Sequence, residues 1–134
     1  MKASSLKCLS LAASVLLVGC VEKPPEGRAL TVKASAYNSL VAQTNANPTL
    51  AAWGDTLKPG MKAVAVSRDL IKEGLTHNTL IEIEGLPGQY RVLDKMNKRW
   101  TRKIDIYMGK DVDAARNWGV REVEIRWTPV ESDM

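Results

Sequence analysis

Short segments in which apolar and polar residues alternate recur along this chain, and they constrain the fold more than any other feature. Alternation over a few residues indicates a β-strand with one buried face. A single helical segment, Asp111–Trp118, has apolar residues at helical spacing and Gly119 as a predicted C-terminal stop. The six predicted strands cover residues 30–37, 61–66, 79–84, 89–94, 103–108 and 121–127.

One helix cannot serve a doubly wound parallel sheet, because every parallel crossover in such a sheet needs a helix of its own. A small closed barrel suits short strands better, since closure removes exposed strand edges. The sequence therefore predicts a mainly β fold, a six-stranded β-barrel with one short helix, over residues 30–128. Residues 129–134 are predicted to be a C-terminal tail.

The first 19 residues of the 134 differ from the rest of the chain. Two lysines, Lys2 and Lys7, precede an apolar run from Leu9 to Val18, which is typical of a secretory signal peptide. This run is too short to span a bilayer core of about 30 Å. The segment Leu17-Val18-Gly19-Cys20 resembles the lipobox of bacterial lipoproteins. A plain cleavable leader and a buried amino-terminal helix are the alternatives.

The lipobox resemblance implies that residues 1–19 are a lipoprotein signal peptide and that Cys20 carries lipid, including palmitate-type acyl chains. Residues 20–29, rich in Pro and charge, are then a lipidated tether. Val21 rather than an aspartate follows the cysteine, which by this resemblance favours the outer membrane and the periplasmic face of the envelope. Cleavage also removes Cys8, so neither a disulfide nor a cysteine metal site is predicted, and no cofactor is expected.

The polar residues leave few routes to catalysis. His77 is the only histidine and cannot form a zinc site alone; we predict a surface turn residue, with a catalytic base as the alternative. The chain contains neither a Gly-rich phosphate loop nor a nucleophile elbow. Any catalytic residues in this chain are therefore expected to be carboxylates.

Two aspartates stand out among the carboxylates. Strand alternation places Asp105 on one face with Lys103 and Tyr107, and it places Asp94 on the face of Tyr90. Strand, loop and strand can bring the two carboxylates together, and a carboxyl beside another carboxylate and an aromatic surface suits a general acid. The alternative is that both are surface aspartates joined by a solvated basic loop.

Several motifs resemble the 3D domain, a double-psi β-barrel named for three aspartates. The pair Asp94 and Asp105 is similar to two of these aspartates, and Ser35-Ala36-Tyr37 resembles the first-strand motif. Ala52-Trp53-Gly54 and Ala63–Val66 resemble its loop and second strand. The resemblance runs from about Thr31 to Trp127. It implies kinship with the membrane-bound lytic transglycosylase A family, the rare lipoprotein A family and expansins, which act on or bind cell-wall glycans.

By this resemblance Asp105 is the general acid that protonates a glycosidic oxygen, and Asp94 is its neighbour beside the developing positive charge. The sugar's own hydroxyl then closes a 1,6-anhydro ring. Aromatic side chains are expected to stack on sugars, and cations of the basic loop to contact stem-peptide carboxylates; core packing is the alternative for the two tryptophans. The candidate binding residues are Tyr37, Trp53, Lys98, Arg99 and Trp100.

The chain also departs from the 3D pattern. The loop after the first aspartate of the pair lacks the family's glycines, and Ser67 stands at the second-strand aspartate, with Asp69 two places later. A non-catalytic lipoprotein that binds peptidoglycan, another cell-wall glycan or an envelope protein is therefore the alternative to a lytic enzyme. Nucleic acid is not an expected partner, because the lipobox directs the chain out of the cytoplasm.

Overall fold

The computed structural model describes residues 27–39 and 49–129. These residues form a closed barrel of six strands, which confirms the predicted mainly β fold. The predicted leader, Cys20 and most of the tether lie outside the described residues, as does nearly all of the predicted C-terminal tail. Strand β1 begins at Arg28, two residues before the predicted start of the domain.

The strands follow the alternating segments closely. They are β1 Arg28–Tyr37, β2 Ala63–Val66, β3 Leu80–Ile83, β4 Gln89–Lys95, β5 Lys103–Tyr107 and β6 Arg121–Trp127. Their order around the barrel is β1-β5-β2-β4-β3-β6. The β1/β5 and β2/β4 pairs are parallel and the other four are antiparallel, an arrangement consistent with a double-psi barrel.

In the described ranges two short helices accompany the barrel, one more than the sequence predicts there. Helix α1, Arg68–Lys72, follows β2 and buries only Leu70. The predicted helix is present as α2, Val112–Trp118, and its N-cap residue Asp111 accepts a hydrogen bond from the Ala114 amide at 3.0 Å. None of the helices in the described ranges is both long and apolar enough to cross a membrane.

Two apolar clusters hold the barrel together. The larger fills its interior with aliphatic side chains from all six strands, and Trp118 of α2 closes it. The smaller lies on the outside, between β2, β4, β5 and the segment 49–61 that crosses them. Its buried residues are Ala51, Leu57, Ala63, Leu93 and Tyr107, and Tyr37 and Met61 pack against them.

A β-bulge changes the face of one candidate residue. Val64 pairs with Val92, but the next residue of β2, Ala65, pairs with Asp94. One residue of β4 is therefore skipped, and the alternation of the strand shifts by one. The predicted placement of Asp94 on the face of Tyr90 is consequently wrong: Tyr90 and Val92 face the interior, whereas Asp94 joins Ala65 on the outer face.

Candidate functional site

Four residues form a row across four neighbouring strands on the outside of the barrel. Ser35 pairs with Asp105, Asp105 pairs with Ala65, and Ala65 pairs with Asp94. The two aspartates are each one strand away from Ala65, so their Cα atoms are roughly 10 Å apart. Ala65, which lies between them, is buried at 5% exposure. The structure thus brings together Asp94 and Asp105, which are eleven positions apart in sequence.

Asp105 is half-buried on β5, and its flanking residues Ile104 and Ile106 face the barrel interior, as alternation predicts. Its Oδ1 accepts a hydrogen bond of 3.0 Å from the Ser35 hydroxyl. Burial raises the pKa of Asp105, and the nearby Asp94 carboxylate raises it further. The Ser35 hydrogen bond and the charge of Lys103 oppose this rise.

Asp94 is also half-buried, but its hydrogen bonds are of a different kind. Its Oδ1 accepts from two backbone amides, Ala52 N at 2.8 Å and Lys95 N at 2.9 Å. Burial raises the pKa of Asp94, whereas these two amides and the charge of Lys95 act against the rise. The Ala52 hydrogen bond also attaches the crossing segment to the end of β4.

The hydrogen-bond donors to Asp94 and Asp105 differ, and they favour different protonation states of the two carboxyls. A backbone amide can only donate, so the two amides at Asp94 favour an accepting, ionised carboxylate. The Ser35 hydroxyl can donate or accept, so it can stay hydrogen-bonded to Asp105 whether that carboxyl is ionised or protonated. The arrangement can therefore hold Asp94 as the anion while Asp105 carries the exchangeable proton.

Tyr37 lies beside both carboxylates. Burial raises the pKa of its phenol strongly, and the charges of Asp94 and Asp105 raise it further. Its hydroxyl is buried and has no hydrogen-bond partner among the described residues. Its ring is tilted against Tyr107 at 5.4 Å between centroids, in the outer apolar cluster. The phenol is thus a protonated donor next to the carboxylate pair.

The crossing segment forms a second attachment near Asp94. The Trp53 ring stacks on His77 with centroids 4.9 Å apart, and Lys95 Nζ lies 5.5 Å from the Trp53 centroid. His77 Nε2 is 2.5 Å from Asp55 Oδ2, in a pair in which both side chains are about one-third exposed. His77 therefore holds the segment through Asp55 and Trp53, which places this partly exposed turn residue close to the candidate site.

The basic loop approaches the other end of β5. Trp100 is half-buried, and two cations lie against its ring: Lys103 Nζ at 3.8 Å and the Arg99 guanidinium at 4.8 Å from the centroid. Lys98 is exposed. A sugar that stacked on the ring face covered by Lys103 would have to displace that ammonium group.

Two further residues fix the start of β5, and the sequence pattern gave them no role. The Ser67 hydroxyl accepts from Lys103 N at 3.0 Å, and Asp69 Oδ2 accepts from Arg102 N at 2.9 Å. Although burial acts to raise the pKa of Asp69, hydrogen bonds from Ser67 and Arg102 lower it overall. Ser67 and Asp69 thereby set the position of the strand that carries Asp105. Within the described ranges, no three His, Cys, Asp or Glu side chains are grouped as metal ligands.

Replacing Asp105 with Asn is expected to stabilise the fold at neutral pH. Burial raises the pKa of Asp105 in the folded state, so the folded state binds this proton more tightly than the unfolded state does. The free energy of unfolding therefore falls as the pH rises above the ordinary carboxyl pKa, because the unfolded state then loses the proton more readily. Asn keeps an acceptor for Ser35 without the buried charge. We expect a gain on the order of 1 kcal/mol at pH 7, measured by urea unfolding.

The gain from Asp105→Asn should disappear at acidic pH, below the ordinary carboxyl pKa of about 3.9, where Asp105 is protonated in both states. Asp113→Asn, at an exposed position in the first turn of α2, is the matched control and should be neutral or slightly destabilising. A variant at Asp105 that is less stable than the native protein at pH 7 and equally so at low pH would contradict the assignment of a buried charge.

Comparison with known proteins gives two partial structural matches. No protein-family model matches the chain, and a search of curated proteins gives no match. Among solved structures, the Clavibacter michiganensis expansin in its apo form is similar with a TM-score of 0.49 and 18% identity over 80% of this chain. A mutant of the same expansin in complex with cellohexaose gives a TM-score of 0.45 and 17% identity, again over 80% of this chain. The chain spans about half the length of these expansins, 52% in each case.

Proposed function

We propose that this chain is a lipid-anchored protein of the cell envelope that acts on peptidoglycan glycan strands, with Asp105 as a general acid. The observation that carries the proposal is the row Ser35, Asp105, Ala65 and Asp94, in which two half-buried carboxyls with raised pKa values lie on either side of one alanine. The resemblance of these aspartates to the pair of the 3D domain and the lytic transglycosylases supplies the substrate class.

In the proposed reaction, Asp105 first donates a proton and later accepts one. Protonated Asp105 donates its proton to the glycosidic oxygen as the bond from that oxygen to the anomeric carbon breaks, and the leaving sugar departs as an alcohol. Ionised Asp94 stabilises the oxocarbenium-like charge that develops on the ring. The 6-hydroxyl of the same sugar bonds to the anomeric carbon and gives its proton to Asp105, which restores the acid and yields a 1,6-anhydro end.

The proposed binding residues for this substrate are those near the carboxyl pair and in the basic loop. We propose Tyr37 as a contact near the cleavage point, because its phenol lies beside both carboxylates and its buried hydroxyl has no hydrogen-bond partner among the described residues. Trp53 offers a partly exposed ring next to Asp94. Lys98, Arg99 and Trp100 remain proposed contacts for the neighbouring part of the glycan.

A non-catalytic glycan-binding lipoprotein is the second candidate function. The observation that favours it is the loop 96–102, in which Trp100 is covered by cations and no glycine permits a close backbone approach to a sugar. A partner protein of the envelope in place of the glycan is a further form of the same candidate.

Sedimentation with purified sacculi tests the two candidates together. The full-length protein should be recovered in the pellet with sacculi, and soluble muropeptides should accumulate over time if the carboxyl pair is catalytic. Retention without release would support the binding function alone. Recovery in the supernatant at low salt, with no release, would contradict both.

Cys20→Ser is expected to free the protein from the membrane. The lipobox resemblance of Leu17–Cys20 supports acylation at this thiol, and two or more acyl chains anchor a protein stably. In a Gram-negative host, the native protein should take up radiolabelled palmitate and fractionate with the outer membrane, whereas the variant should do neither. Cys8→Ser is the matched control, and label that persisted in Cys20→Ser would contradict the anchor.

A further inference from the structure

A cavity of about 410 Å³ lies at the start of β5, and its charged lining is strongly basic. Four cations line it, together with one carboxylate, that of Glu122, and the ring of Trp100. The cations come from three places in the chain: Lys33 from β1, Arg99 and Arg102 from the loop, and Lys103 from β5. Lys98, which belongs to the same loop, is not among the lining residues.

None of these four cations forms an ion pair shorter than 4.0 Å within the described residues, although Glu122 is the cross-strand partner of Lys33 and the charge of Lys103 acts on Asp105. Within residues 27–39 and 49–129, the ion pairs shorter than 4.0 Å are those of His77 with Asp55 and Arg126 with Glu124, and neither includes a cavity residue. Arg99 and Lys103 lie against the Trp100 ring, which stabilises each cation without neutralising it. The cavity therefore presents a net positive charge to a ligand.

The fold brings these charges together at a cost to its own stability. Lys33 and Lys103 are direct partners in the parallel β1/β5 pair, where like charges repel each other, while Glu122 is the partner of Lys33 on the other side, in the antiparallel β1/β6 pair. Arg102 has a φ of 48°, in the left-handed region that side chains other than Gly, Asn and Asp rarely adopt. Its backbone is nevertheless held in place by Asp69 and by the Lys33 amide, which donates to Arg102 O at 3.1 Å. Unfavourable features concentrated at one place are typical of a binding site.

The cavity adjoins the carboxyl pair. Lys103 and Asp105 are two positions apart on β5 and share its outer face, about 7 Å apart along the strand. Lys33 and Ser35 have the same relation on β1. A single sugar ring is about as long as this spacing, so a ligand anchored by an anionic group in the cavity would extend along the strands to Asp105.

We propose that Lys33, Arg99, Arg102 and Lys103 form an anion site that binds the carboxylate of an acidic glycan and aligns the neighbouring sugar with Asp105. The inference rests on the proposed function, since it names the substrate class of the same surface. Carboxylates suit the site because they are multiply hydrogen-bonded by Arg and attracted by Lys, while the apolar side of the sugar meets Trp100.

Three sugars with a common ring test this inference: N-acetylmuramic acid, which carries a carboxylate, neutral N-acetylglucosamine, and N-acetylglucosamine 6-phosphate. Binding to the full-length protein is followed by the NMR signal of the Trp100 indole N–H, assigned with Trp100→Phe. The muramic acid should bind at least about tenfold more tightly than the neutral sugar, a preference of about 1.4 kcal/mol, and added salt should weaken it. Equal binding of the acidic and neutral sugars, or binding of the phosphate alone, would overturn the proposal.

Substitutions of single cations distinguish binding at this site from attraction by the overall positive charge of the protein. Lys33→Gln and Arg99→Gln should each weaken muramic acid binding by about 1.5-fold to fivefold, the range expected for loss of one exposed charge contact. Arg116→Gln removes the same charge from the exposed face of α2 and should leave binding unchanged. An equal loss in all three variants would mean that only the overall charge matters, which also overturns the site.

Asp105→Asn distinguishes failure of the anion site from failure of the proposed function. It should bind muramic acid at least as well as the native protein, because it removes a negative charge near Lys103. Selective binding without any release from sacculi would retain the anion site and reject catalysis. Release from sacculi without selectivity for the carboxylate would retain the proposed function and reject the site.

Discussion

If the proposed function holds, Asp105→Asn is expected to lower the rate of release of soluble muropeptides from sacculi by about 10²- to 10⁴-fold, the usual contribution of a general acid. The reason is chemical: the amide cannot give a proton to the glycosidic oxygen. The fold is expected to survive, because Asn can still accept the hydrogen bond from Ser35. Activity of the native protein should fall as pH rises through the raised pKa of Asp105, since only the protonated form is active.

Two other variants show whether the loss of rate is specific to the acid at position 105. Asp94→Asn keeps an oxygen for the amides of Ala52 and Lys95 but removes the charge, so kcat should fall while binding persists. Asp113→Asn changes an exposed carboxylate of α2 and should match the native rate. Native rates in Asp105→Asn would reject its role as the acid.

Trp118→Ala is expected to destabilise the barrel by about 3–5 kcal/mol, the usual range for truncating a buried Trp. Trp118 is only 8% exposed and is packed into the interior cluster from α2. Its indole N–H donates to Ala34 O at 3.2 Å, and the Arg121 guanidinium lies 4.0 Å from its ring centroid. Because small domains are stable by only about 5–15 kcal/mol, this variant should be partly unfolded near physiological temperature.

Urea unfolding of three proteins measures the contribution of Trp118. Trp118→Phe should lose less stability than Trp118→Ala, because it keeps most of the buried ring and loses the hydrogen bond to Ala34. Val120→Thr, at a side chain that is 63% exposed, should change stability by less than about 0.5 kcal/mol. A loss below about 1 kcal/mol in Trp118→Ala would contradict its role in closing the interior.

The strands could be predicted because alternation reports burial directly. The predicted bounds of β6 match the structure, and those of β5 differ from it by one residue at Met108. Helix α1 was missed because Arg68–Lys72 contains little more than one turn and a single buried residue, Leu70, which is too short to show a helical period.

The site was harder to predict because its geometry depends on pairing between distant strands. Asp105 is on its predicted face, but the bulge that turns Asp94 outward arises only when β2 and β4 pair. Lys33 and Ser35 gain their importance from the parallel pairing of β1 with β5, about 70 positions away in sequence. Periodicity within one segment carries no information on such contacts.

Mass spectrometry of the soluble products from sacculi tests the central claim most directly. The full-length native protein should release muropeptides with 1,6-anhydro ends, which contain one water fewer than hydrolysed ends, and Asp105→Asn should release almost none. Anhydro products from both proteins in equal amounts, or retention on sacculi with no soluble product from either, would contradict Asp105 as the acid of a glycan-cleaving site.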